Sequence, residues 1–72
     1  MKRSKSDLQV VQLDPATLEP MHTWPSVTKA AATIGGSREG VYQAIRDGSV
    51  RYGFRWMFYD VYKTWEREHP HV

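Results

Sequence analysis

SVTKAAATIGGSREGVYQAIRDG, residues 26–48, carries the punctuation of two short helices. Ser26 follows Pro25 and offers a hydroxyl to cap the first helix. Ala30, Ala31 and Ala32 are strong helix formers. Val27, Ala30, Ala31 and Ile34 recur at helical spacing, which predicts that they face a core. Ala31 is small where a second helix must cross closely. Gly35 and Gly36 end the run, and Gly35 can take the positive φ that reverses the chain. Ser37 is the next N-cap, without a capping box because Gly40 stands three residues beyond it. The second helix is expected from about Arg38 to Asp47, stopping at Gly48. Its inward set is Val41, Ala44 and Ile45. Two helices crossing steeply across a short glycine turn make a helix-turn-helix, whose second helix fits the DNA major groove.

The outward set of that second helix has the chemistry of a groove reader. It comprises Arg38, Glu39, Tyr42, Gln43 and Arg46. Arginine makes bidentate contacts to guanine, and glutamine makes them to adenine. Tyr42 either donates to phosphate, packs on a thymine methyl, or lies half-buried against the domain. Ser37 stands at the helix N-terminus, where amides suit a phosphate. Glu39 either accepts from cytosine N4 or repels phosphates. The bland alternative is a solvated helix face. Lys29 on the first helix, and Arg51 and Arg55 beyond the second, complete the expected DNA-contact set, the last two acting on the DNA backbone like a wing.

The 72 residues bound the possibilities. A chain of this length supports one small domain with a thin core. The expected division is a basic tail over residues 1–7, a domain over 8–68 and a tail over 69–72. With no cysteine, disulfides and thiolate metal sites are excluded, which fits a cytoplasmic setting. No apolar run reaches the roughly 20 residues of a membrane span, and no signal-peptide core follows the basic start. The net charge of +2 is mild, but Lys2, Arg3 and Lys5 concentrate it in the first six residues. That tail either contacts phosphate or serves as a solubilising terminus.

Around the helix pair the pattern is β-prone. QVVQLD, residues 9–14, the turn Asp14-Pro15-Ala16-Thr17 and LEPMHTW, residues 18–24, predict a hairpin. Pro20 places its second strand at an edge or a bulge. Val10 or Val11, Leu13, Met21 and Trp24 are the expected buried members. In RYGFRWMFYD, residues 51–60, Phe54, Trp56 and Phe58 alternate with Arg55, Met57 and Tyr59, so a closing strand is expected with Trp56 at the core's centre. Stacking of a single strand on Tyr52 or Phe54 has no specific support. DVYKTWEREH, residues 60–69, reads as a short helix capped by Asp60, with Val61, Tyr62 and Trp65 on one face. That face either closes the core or meets a partner. His22 reads as a strand surface residue, and His69 and His71 as tail residues. The fold class is α+β: an N-terminal β-hairpin, a helix-turn-helix, a closing β-strand and a short C-terminal helix.

VVQLD, the turn, Trp24-Pro25-Ser26, KAAATIG, the second helix and Tyr52-Gly53-Phe54-Arg55-Trp56 together give a resemblance. The stretch from Val10 to Phe58 resembles the nuclease-associated modular DNA-binding domain of the first type, an accessory helix-turn-helix module of phage and intron-encoded homing endonucleases. The resemblance covers about two thirds of the chain. It implies DNA binding by the helix pair, with Ser37, Arg38, Glu39, Gln43 and Arg46 as the contact set by position. Two features depart from the module. The family is usually appended to a nuclease, and the sequence shows no nuclease residues. The segment after Tyr59 is also extra. The implied protein is a stand-alone phage or mobile-element DNA binder.

That extra segment supports a second resemblance, to excisionase-like winged helix-turn-helix proteins, which act in recombination or transcription. Their wing follows the helix pair, and a short helix follows the wing. A third reading is a phage protein that binds a host protein through Tyr62 and Trp65. Neither paired carboxylates, nor a nucleophile-base pair, nor a phosphate loop stands out, so no enzyme, cofactor or metal is expected. A module this small often acts as a dimer or with a partner, and the oligomeric state stays open.

Overall fold

The computed structural model describes residues 8–69. The basic tail with Lys2, Arg3 and Lys5, and His71 at the other end, lie outside them. The chain is α+β. Its elements run β1 (Val10–Leu13), β2 (Pro20–Trp24), α1 (Val27–Ile34), α2 (Arg38–Asp47), β3 (Arg55–Phe58) and α3 (Tyr59–Glu68). The three strands form an antiparallel sheet in the order β2-β1-β3, with Val10 opposite both Trp24 and Phe58.

Local chemistry sets the element ends. Asp14 Oδ1 accepts from the N–H groups of Ala16 and Thr17, at 2.8 and 3.0 Å, and turns the chain from β1 towards β2. The same two bonds, Thr17 first, hold its carboxyl below the usual carboxylate value. Pro20 begins β2, an edge strand whose pairing with β1 shifts register between Gln12 and Leu13. The edge and the bulge expected of Pro20 are both present. Ser26 and Ser37 cap α1 and α2, and Gly35 and Gly48 close them in the left-handed conformation. Asp60, expected as the N-cap of α3, lies inside its first turn. The helix starts one residue earlier, straight from β3, and Phe58 occupies the cap position without a side-chain bond. The Tyr59 N–H donates instead to Gln9 O at 2.9 Å, so strand pairing satisfies a helix-terminal donor.

Every residue of β1 is buried because both of its faces are covered. Successive strand residues point to opposite faces. Val10 faces a cluster with Val27, Ala30, Ala31, Val41, Ala44 and Trp56, drawn from α1, α2 and β3. Val11 and Leu13 face a second cluster, formed with Tyr62 and flanked by Met57, Tyr59 and Trp65. The expected choice between Val10 and Val11 therefore resolves into both. Gln12, the one buried polar residue among the described residues, accepts from Trp24 Nε1 at 2.8 Å and so is satisfied. Met21, expected in the core, is 55% exposed on the outer strand.

α3 closes the second cluster. Tyr62 is only 4% exposed and its hydroxyl donates to Glu66 Oε2 at 3.1 Å. Burial, then that contact, raises its pKa. Trp65 is half-buried, and Val61, expected on the same inward face, points outward. His69, assigned to the tail by its sequence context, stacks on Trp65 with ring centroids 4.6 Å apart.

Trp56 is 2% exposed, and its Nε1–H donates to Arg51 O at 3.1 Å. Trp56→Ala removes a buried ring and a satisfied donor. It is expected to lower stability by about 3–5 kcal/mol, a large share of what a small domain has. Urea denaturation followed by circular dichroism measures this. A variant as stable as the parent would show that the first cluster does not depend on the indole.

Candidate nucleic-acid interface

The apolar face of α2 orients its polar face. Val41 and Ala44 are fully buried under the helix, and Ile45 packs at the edge of the same cluster. Glu39, Gln43 and Arg46, at spacings of four and three, then share the solvent side, with Arg38 exposed in the first turn. Glu39 has a structural reason for its place, since a carboxylate in the first turn is favoured by the helix dipole. Arg46 is open, with a side chain 74% exposed. Its Nε sits 3.5 Å from Asp47 Oδ1, a surface pairing that holds the guanidinium weakly. Tyr42 takes the half-buried alternative, its ring 6.3 Å from that of Phe58.

A second element comes over this face. Arg51 and Phe54 exchange two backbone hydrogen bonds, each 2.9 Å, around Tyr52 and Gly53. Both central residues have positive φ, 55° and 82°, as a two-residue type I′ hairpin turn requires. Glycine tolerates this, and tyrosine is strained by it. What holds Tyr52 there is the N-terminus of α2. The Ser37 N–H donates to the Tyr52 hydroxyl at 2.9 Å, Ser37 Oγ stands 3.3 Å from it, and the Gly40 N–H donates to Ser37 Oγ at 3.0 Å. The phenol ring fits because Gly36 and Gly40 lack side chains; a Cβ on either would fall onto it.

The same turn carries Arg51 to the exposed face of α2. Its Nη2 donates to Gln43 Oε1 at 2.7 Å, a short, charge-assisted bond. Two contacts, Tyr52 to Ser37 and Arg51 to Gln43, thus tie the turn to the N-cap and the middle of α2.

Apart from the half-buried Tyr42, the expected site residues fall into three groups. Arg38, Glu39, Gln43, Arg46 and Arg51 are exposed on α2 or on the turn beside it. Ser37 is engaged internally: its amide and the Gly40 amide, two donors that a phosphate would use, bind Tyr52 and Ser37 itself. Lys29 and Arg55 stand elsewhere. Lys29 is exposed on the first turn of α1, where its N–H completes the Ser26 cap at 3.1 Å. Arg55 is half-buried on β3, and its Nη2 lies 3.4 Å from where a Cβ on Gly48 would sit. That is the C-terminal end of α2, which favours a cation. Tyr52 was missed as a positioning residue. The signals were the turn-prone Tyr52-Gly53 pair just ahead of the alternating aromatics Phe54, Trp56 and Phe58, and the glycines at 36 and 40 on either side of Ser37.

Among the described residues, no three His, Asp or Glu side chains gather as a metal would need, and no helix is long and apolar enough to cross a membrane. No protein-family model, curated protein or solved structure matches the chain.

The hydroxyl of Ser37, then its amide, lower the Tyr52 pKa below the usual tyrosine value of 10.0. Between the folded and the usual value the unfolded chain holds more protons, so Tyr52's contribution grows as pH rises through its folded value and is complete above 10.0. Tyr62 behaves oppositely: its contribution is complete below 10.0 and is lost as pH rises through its elevated folded value. An alkaline titration of phenolate absorbance should show Tyr52 ionising ahead of Tyr62, and Tyr52→Phe should delete the early step. Persistence of that step in the variant would remove Tyr52 from the N-terminus of α2.

Proposed function

We propose that this chain is a small, non-enzymatic protein that binds duplex DNA, placing α2 in the major groove and the 51–54 turn beside it as a wing. The observation that carries the reading is the union of the two: the Arg51–Gln43 and Tyr52–Ser37 contacts make one rigid surface with Arg38, Gln43, Arg46 and Arg51 exposed on it. Arginine and glutamine side chains on a groove-sized helix supply base-edge and phosphate donors. A surface pre-organised in this way needs little ordering when it binds.

The resemblance carried by Val10–Phe58 points to a phage or mobile-element accessory or regulatory factor, working in the cytoplasm. Within DNA binding, the tight turn packed on α2, followed by α3, favours a winged, excisionase-like factor in recombination or transcription. Binding to a host protein through Tyr62 and Trp65 is less well supported, because Tyr62 is spent on the protein's own core.

Fluorescence anisotropy with mixed-sequence duplex DNA tests the reading. Affinity should fall steeply as salt rises, because phosphate contacts release counterions. Arg38→Ala and Arg46→Ala should each weaken preferred-site binding, by about 1–3 kcal/mol where a bidentate base contact is lost. An NMR titration should move the α2 and Arg51–Phe54 signals together. No binding at low salt, or binding indifferent to salt, would overturn the proposal.

A further inference from the structure

Gln43 alone on a helix face would read adenine, accepting from N6 and donating to N7. Its contact with Arg51 changes what it can offer. A guanidinium has donors only, so the group that meets Arg51 Nη2 at 2.7 Å must be the Gln43 carbonyl oxygen. The carboxamide NH2 takes no part in that bond, and Arg51 keeps further N–H donors. With one lone pair of the carbonyl taken by Arg51, the pair presents chiefly donors.

Arg51 is well placed to keep this arrangement. Its backbone N–H and carbonyl both pair with Phe54 across the turn, and its carbonyl also accepts from the buried indole of Trp56. The backbone that launches the side chain is therefore anchored to the core. Gln43 and Arg51 are themselves exposed, so either can be replaced without opening the interior.

In the major groove, only guanine presents two adjacent acceptors, N7 and O6, on one base. Adenine presents one acceptor beside a donor. From the duplex-binding reading, on which this rests, we infer that the Arg51–Gln43 pair is the specificity-determining unit and that it selects guanine, not the adenine that glutamine would select alone. Arg51 supplies donors and also draws towards itself the carbonyl through which Gln43 would recognise adenine.

Selection from a randomised duplex library, followed by anisotropy titrations of the enriched duplex, tests the inference. The parent protein should enrich a guanine at a fixed position, and exchanging that G·C pair for A·T should weaken binding roughly 5- to 150-fold. Arg51→Ala frees the Gln43 carbonyl and should turn the preference at that position towards adenine. Gln43→Met keeps the side-chain length but removes the tether, and should reduce the guanine preference with no gain for adenine. Circular dichroism confirms that each variant is folded. An adenine at that position with the parent protein, or an unchanged guanine preference in Arg51→Ala, would overturn the inference. Salt-dependent binding without base preference would overturn it while leaving the duplex-binding reading standing. No binding at low salt would remove both.

Discussion

The double covering of β1 is the constraint from which the remaining geometry follows. Four residues, Val10 to Leu13, carry the centre of the sheet and send side chains into two separate clusters. A 72-residue chain without disulfides has little apolar area to spare. Using both faces of one strand lets a short sheet anchor α1 and α2 on one side and α3 on the other. The aromatic load is divided accordingly: Trp56 and its neighbours Phe54 and Phe58 serve the first cluster, and Tyr62 and Trp65 the second.

This layering determines what is exposed. Because α2 commits Val41 and Ala44 to the first cluster, its opposite side must be polar and open, and Arg46 and Gln43 are placed there by helical period alone. Because α3 commits Tyr62 to the second cluster, that helix is a structural closure. The hydroxyl of Tyr62 finds Glu66 one turn away, so even its polar end is satisfied within the fold.

Much of this was legible wherever the determining chemistry is local. Ser26, Ser37, Gly35 and Gly48 mark helix ends through contacts within a few residues, and those ends fall where the punctuation predicts. The alternation around Trp56 likewise identifies β3, whose regular part is shorter than the 51–60 stretch because Tyr52 and Gly53 turn the chain. Features that depend on distant partners were hidden. Nothing near Val11 says that α3 will cover it, and although Pro20 marks an edge strand, nothing near Met21 says that its side chain will stay uncovered there. Asp60 looks like a cap because Asp commonly is one, but β3 runs directly into α3 and strand pairing supplies the satisfaction instead. The role of Tyr52 needed Gly36, Gly40 and Ser37 to be known as neighbours, and they lie across the turn on another element.

The candidate interface is therefore not an appendage on an independent core. Arg51 belongs to both: its carbonyl receives the Trp56 indole N–H from the interior, and its guanidinium reaches the exposed carboxamide of Gln43. Tyr52 beside it trades an unfavourable backbone conformation for a hydrogen-bonded seat at the start of α2. Strain of this kind persists only where surrounding contacts over-determine it, and here they come from the core on one side and from α2 on the other. A change that loosens Trp56 must then also loosen the register of Arg51 over α2. The core and the candidate interface meet at one residue, in a fold with few residues between its centre and its surface.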